Sequence, residues 1–361
     1  MKSILYLCLL FAFTICFTSK RSFPKFEVIS WDETPVIKQG DEWTNDIKCG
    51  FEGGTVVKIN NTYHLFPTER IGVYCTEKTR IGHWLSSDGI HWERISTILE
   101  SSGDTLGEDR RAVFFAPMPV FDKKENVWNL FYVSYRYTRN PKRGYTHSDG
   151  QIWRAVSQQK GEMGIDGPYK DINVILQPDT ETQPWEGHQG IDSFYPFTVG
   201  NRWLGFYGSA KTEVMPEKRC SFWAVGLAES SSLAGPWKRC KSKNPIELYY
   251  GEDHIMLMPE NPIVYKLKDG NYIALIDYVA GSAGKDDDQP TYMISEDGIN
   301  WSFGDFMRLD PVEKRWWKQM VTPLALIEEK DGTYTLFFTA RARDNYLGFE
   351  SVGRAKIRRR K

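Results

Sequence analysis

Three carboxylates stand at nearly the same distance from a recurring aromatic mark. Glu52 lies 11 residues before Tyr63, Asp192 lies 11 before Trp203, and Glu260 lies 12 before Tyr272. Their contexts are FEGG, GIDSFYP and MPENP. Carboxylates brought to one level repel one another and raise at least one pKa, which a general acid working near neutrality needs beside an ionised partner. Cleavage of an acetal uses this pairing: one carboxylic acid protonates the leaving oxygen while a carboxylate activates water or attacks the sugar. A lone acid at such a position would more simply cap a loop or bind an arginine, but three in register point to catalysis.

The aromatic marks belong to a repeat, and the repeat defines the elements that must position the acids. Five segments run from an apolar strand through a turn containing Asn, Asp or Gly into an aromatic-rich strand. They are VVKINNTYHLF from Val56, MPVFDKKENVWNLFYVSY from Met118, YPFTVGNRWLGFYGS from Tyr195, NPIVYKLKDGNYIALIDY from Asn261 and TPLALIEEKDGTYTLFFTAR from Thr322. Each reads as a hairpin by turn chemistry and strand propensity. The marks Tyr63, Trp128, Trp203, Tyr272 and Tyr334 are separated by 65, 75, 69 and 62 residues. Between hairpins lie further strand-like pieces closed by a second recurring turn, SSDGIHW ending at Trp92 and SEDGINW ending at Trp301, or GPY and GPW ending at Tyr169 and Trp237. Helical periodicity is absent.

Five units of about four strands each predict an all-β, five-bladed β-propeller of four-stranded antiparallel blades, because radial repetition protects strand edges. The fifth unit, closing with VGRAKI, is short of a strand, and FEVISWDETPV from Phe26 is expected to supply it and latch the ring. The first strand of each propeller blade lines the central channel, so Glu52, Asp192 and Glu260 should converge at one mouth. In blades two and five the matching stretches, Phe114–Pro117 (FFAP) and Val321–Pro323 (VTP), carry no acid.

Composition agrees with one large globular domain, read as residues 22–361. The 361 residues are 41% hydrophobic and 26% charged, which excludes disorder, collagen and coiled coil. A formal charge of −1 offers no field to recruit nucleic acid or an acidic membrane. Aromatic residues make up 14% of the chain, including 13 Trp, which suits sheet cores and contact with sugar faces. The start, Met1 and Lys2, an apolar run from Ile4 to Phe17, then Thr18, Ser19, Lys20 and Arg21, has the layout of a secretory signal peptide over residues 1–19. That run is too short to span a bilayer comfortably. The expectation is export to the periplasm or outside the cell. Cys16 is a candidate for lipid anchoring, against which Ile15 stands where a small residue is expected. Cys49 with Cys75, and Cys220 with Cys240, are the simplest disulfides for an oxidising compartment, with free thiols the alternative. No Cys/His cluster suggests zinc, and the KDDD run at 285–288 lacks the alternation and glycine of an EF-hand loop. The final RRRK reads as a solvated tail.

Around the acids, several residues could hold a sugar. The EDRRAVFFAP stretch offers Arg110, favoured over Arg111, to hydrogen-bond hydroxyls or orient a carboxylate, the alternative being a surface ion pair with Glu108 or Asp109. His188, in WEGHQGID, and His254, in GEDHIM, fall on expected rim loops. Trp185, Trp316 and Trp317 could stack on a pyranose or furanose face, whereas Trp128 and Trp203 recur at hairpin positions and read as core.

The chain resembles glycoside hydrolase family 43 and its five-bladed relatives over nearly all of the mature sequence. The resemblance rests on the acid opening blade one, FAP in blade two, GIDSFYPF with WLGFYGS in blade three, PENPIVYKLKDGNYIALIDY in blade four, and LAESSSLAGPW. It implies that Glu52 takes the place of the catalytic base, Asp192 that of the acid that orients substrate and tunes its partner's pKa, and Glu260 that of the general acid, in an inverting hydrolase with an activated water. Two positions depart from the pattern. Glu52 stands where the family normally has Asp, and WWKQMVTP puts Gln319 where many members present a His, so the resemblance carries no channel-bound calcium over. No metal or other cofactor is expected. The resulting expectation is a monomeric, exported glycosidase acting on an oligosaccharide or polysaccharide, releasing a pentose such as arabinose or xylose, or galactose. The alternatives are a retaining enzyme like the sucrose- and fructan-cleaving propellers, whose NDPNG-like signature is missing here, and a carbohydrate-binding propeller without catalysis.

Overall fold

The computed structural model describes residues 25–74, 77–138, 146–214, 219–280, 290–307, 314–342 and 348–360. The expected signal peptide, Cys16, Cys75 and the KDDD run lie outside the described residues. So do the side chains of 212–221 and 318–321, including those of Cys220 and Gln319. The chain is an all-β, five-bladed propeller.

Blade one comprises Phe51–Ile59, Thr62–Arg70, Thr79–Ser86 and Glu93–Glu100. Blade two comprises Val113–Asp122, Val127–Tyr137, His147–Ser157 and Tyr169–Leu176, with a short 3₁₀ turn, Glu162–Asp166, before its outer strand. Blade three comprises Ile191–Val199, Arg202–Val214, Arg219–Ser230 and the two-residue Lys238–Arg239. Blade four comprises Ile255–Lys266, Tyr272–Ala280, Thr291–Ser295 and Ser302–Phe306, and it adds a fifth strand, Leu248–Tyr250, against its inner strand. Blade five comprises Trp317–Glu328, Tyr334–Ala342 and Glu350–Arg359, completed by Phe26–Trp31. All five aromatic marks fall on the first or second residue of a second strand.

The expected latch forms as an antiparallel ladder, with Phe26 opposite Arg359 and Trp31 opposite Ala355. Phe26 meets Tyr292 and Tyr334 edge-on, and Trp31 meets Trp317. One layer of apolar side chains fills each gap between neighbouring blades. Phe51, Trp84, Leu324 and Phe337 join blades five and one, and Phe131, Val133, Phe194 and Tyr207 join blades two and three. The inner strands contact one another in cyclic order, closing the ring.

The second repeated turn is a repeated hydrogen-bond device. In SSDGIHW the Ser86 hydroxyl accepts from the Gly89 N–H at 2.8 Å, and Asp88 accepts from the Ile90 and His91 N–H groups at 2.8 and 2.9 Å. In SEDGINW Ser295 accepts from Gly298, and Asp297 from Ile299 and Asn300, each at 2.8 Å. Gly89 and Gly298 take φ of 73° and 74°, which glycine adopts without steric cost.

Cys49 is disulfide-bonded, and its expected partner Cys75 lies outside the described residues. The expected Cys220–Cys240 bridge is not made, for Cys240 is a free thiol. Cys220 pairs with Glu213 near one end of its strand, whereas the Cys240 N–H bonds the Leu227 carbonyl seven residues further along. At the rise of a strand that is about 23 Å, far beyond disulfide reach.

Candidate active site

Every inner strand breaks register, between Phe51 and Gly54, Phe115 and Met118, Ile191 and Phe194, Glu260 and Ile263, and, among three breaks in blade five, Met320 and Thr322. A bulge bends the strand and re-aims a side chain. In blades one, three and four the residue within or bounding the bulge is Glu52, Asp192 or Glu260. The three acids therefore sit at equivalent kinks on strands that surround one channel.

Glu260 does not act alone in blade four, because Asp277 is its direct cross-strand partner. Burial, then the charges of Asp277, Asp192 and Glu52, push the Glu260 carboxyl well above the ordinary range. Burial first, and then the charges of Asp192 and Glu52, raise Asp277 to about 8, against the opposing hydrogen bond from Asn261. That bond runs from Asn261 Nδ2 to Asp277 Oδ2 at 3.3 Å, and Asp277 Oδ1 is buried without a partner. Asp192 is 7% exposed, and burial raises it to about 7. Ser193 Oγ donates to its Oδ1 at 3.2 Å, while its Oδ2 has no partner. Tyr195 lines the same pit. Burial and the charges of Asp277, Asp192 and Glu260 oppose ionisation of its phenol, whose O–H reaches Asn261 Oδ1 at 3.5 Å. The Asp192 carboxylate packs directly over Gly208, where an added Cβ would stand 1.8 Å from Oδ1.

Glu52 is held differently. Its side chain is 38% exposed, and Oε2 pairs with Arg70 Nη1 at 3.1 Å. Arg70 also donates to the Cys49 carbonyl and pairs with Glu350 Oε1 at 3.0 Å. Glu350 is fully buried, takes a second ion pair from Arg341 at 2.6 Å, and is raised to about 7 by burial, with Arg70 opposing that rise. The pit thus holds one ion-paired, water-accessible carboxylate beside three carboxyls whose hold on a proton is strengthened by burial, and mutual charge effects link all four. An arrangement of this kind can donate a proton at one point and remove one at another.

The other expected site residues scatter. Arg110 is exposed on the turn before the inner strand of blade two. Arg111 is structural, pairing with Asp171 at 2.7 Å and lying over the Trp153 ring. His188 and His254 lie on turns just before the inner strands of blades three and four, both exposed. Trp185 is a packing residue: its indole lies against Tyr207 and over Gly226 and donates to Gln183. Trp317 is core, 1% exposed and wedged edge-on between Trp31 and Phe338, so it presents no face to a sugar. Trp316 stacks on Phe338.

Asp277, Tyr195 and Arg70 are the members of the pit that sequence reasoning missed. Asp277 carried a signal, since it is the one acid in the apolar strand IALIDYVA that pairs with the strand of Glu260. Among the described residues, the only group of His, Cys, Asp and Glu side chains close enough to hold a metal is His64, His83 and Asp166. It lies outside the pit, between blades one and two.

No sequence family and no curated protein matches the chain. Solved structures do match its fold. BT0996, in a complex with RGII, aligns with a TM-score of 0.64 at 15% identity, covering 86% of this chain and 88% of that one. A family 117 glycoside hydrolase, Zg3597 from Zobellia galactanivorans, aligns with a TM-score of 0.57 at 14% identity, covering 93% and 90%. A GH43_1 enzyme from Xanthomonas citri complexed with xylotriose gives 0.54 at 13% identity, covering 91% and 90%. The chain shares the architecture of the five-bladed propeller glycosidases.

Proposed function

We propose that this protein is an exported glycoside hydrolase that cleaves glycosidic bonds in a plant-type or other complex polysaccharide or oligosaccharide by inversion. Glu260 is the general acid. Burial and three neighbouring carboxyls keep its proton in place near neutrality, so it can protonate the leaving oxygen. Glu52, ion-paired with Arg70 and open to solvent, is the base that activates water on the opposite face of the sugar. Asp192, protonated or charged according to its neighbours, tunes Glu260 and orients the sugar.

The observation that carries this reading is the charge coupling of Glu52, Asp192 and Glu260 in one pit, with the acid's proton retained and the base's carboxylate paired. The xylotriose and RGII complexes of proteins sharing the fold support a plant-type substrate. A disulfide-bonded Cys49 supports export to an oxidising compartment.

Screening against aryl glycosides and plant oligosaccharides, with a proton NMR time course of the released anomer, tests the reading. Glu52→Gln and Glu260→Gln should each lower turnover by about 10²–10⁴-fold with the fold intact. Binding without turnover in the wild type would make the protein a lectin, and release of the retained anomer would make Glu52 a nucleophile.

A further inference from the structure

We propose that His64, His83 and Asp166 form a zinc site that clamps blade one to blade two. The three residues lie far apart in sequence and come from separate elements. His64 is on the second strand of blade one, His83 on its third, and Asp166 ends the 3₁₀ turn of blade two. His64 is the cross-strand partner of Val57, five residues along the inner strand from Glu52. At the rise of a strand this places the cluster about 17 Å from the level of the acids, so it is no part of the pit.

The donor atoms converge on a point. His64 Nδ1 and His83 Nε2 are 3.1 Å apart, and Asp166 Oδ1 lies 3.6 Å from the first and 3.7 Å from the second. A triangle with those sides has a circumscribed radius of about 2.0 Å. A cation roughly 0.6 Å off its plane would stand about 2.1 Å from all three atoms, within the Zn–N and Zn–O bond lengths. The two distances to the carboxylate are too long for hydrogen bonds, yet its oxygen faces both nitrogens. The two rings are within hydrogen-bond distance of each other, but neither bonds the carboxylate, and a cation set between the three atoms would engage all of them. Two imidazole nitrogens with one carboxylate suit zinc, not the all-oxygen shells of calcium or magnesium. His83 is fully buried and stacked on Phe66 at 4.6 Å, which fixes its ring. The Asp166 side chain is 48% exposed, which leaves an open side for a water as fourth ligand.

The test uses the mature chain without a histidine tag, stripped with chelator and titrated with zinc chloride, with bound metal counted by mass spectrometry. About one zinc per chain is expected, together with a zinc-dependent rise in the unfolding midpoint. Asp166→Asn, a change at a half-exposed position that leaves the fold intact, should weaken binding at least tenfold and cancel that rise, and His64→Gln should do the same. Less than about a tenth of an equivalent bound at about 0.1 mM zinc, or equal binding by the wild type and both variants, would overturn the site. Either result leaves the glycosidase reading untouched, since turnover is read separately at the pit.

Discussion

Replacing Asp277 by Asn removes a group that becomes a negative charge only above about pH 8, while keeping the size of the side chain and its acceptance of the Asn261 hydrogen bond. Its carboxyl is raised from 3.8 to about 8 in the folded chain. Between those values the folded protein holds a proton that the unfolded chain has released, so stability falls as pH rises through that window. Asn carries no such penalty. The gain from the substitution is therefore nil at about pH 4 and complete above about pH 8. The cost of holding that proton has a ceiling of about 5–6 kcal/mol, of which relaxation of the surroundings leaves about 2 kcal/mol to be measured. Denaturant unfolding at the two pH values reads the difference directly. Removing the charge opposite Glu260 also lets that acid ionise more easily, so the alkaline limb of the kcat/KM profile should move to lower pH. An equal change in stability at both pH values, or an alkaline limb that stays in place, would refute the account of four coupled carboxyls.

Gly208→Ala places a methyl where the Asp192 carboxylate now sits, and kcat should fall by roughly 100-fold as that group is displaced, while circular dichroism reports a retained sheet fold. Unchanged turnover would mean that Asp192 need not sit where it does. Trp317→Phe should lower stability by about 1–3 kcal/mol through the cavity left beside Trp31 and Phe338. It should also leave KM unaltered, because Trp317 is buried core; a rise in KM would return it to the substrate surface.

The legible parts of this protein are those written in local patterns. Hairpin turns, second-strand aromatics and the Ser-Asp-Gly-Trp turns recur at a steady period, and each is settled by a few adjacent residues. Counting from those marks was enough to bring Glu52, Asp192 and Glu260 to one level, because a propeller repeats its inner strand at a fixed place in each blade. The tandem Trp316 and Trp317 were not legible in the same way. Both faces of a blade are packed against neighbours, and there the Trp317 ring went into the core while Trp316 packs half-buried on Phe338. Arg110 and Arg111 divided for a similar reason, one left in solvent and the other drawn onto Trp153 and Asp171.

The sequence alone determined the number of blades, the strand that closes the ring and the inner strands that carry the three acids, since each follows from spacing within one repeat. Only the tertiary structure decided that Asp277 faces Glu260, that Arg70 bridges Glu52 and Glu350, that Cys240 stays unpaired, and that His64 and His83 meet Asp166 across a blade boundary. Those pairings depend on where bulges shift the register and on how one blade leans against the next. Distances across the fold of that kind are fixed by packing, and no spacing along the chain encodes them.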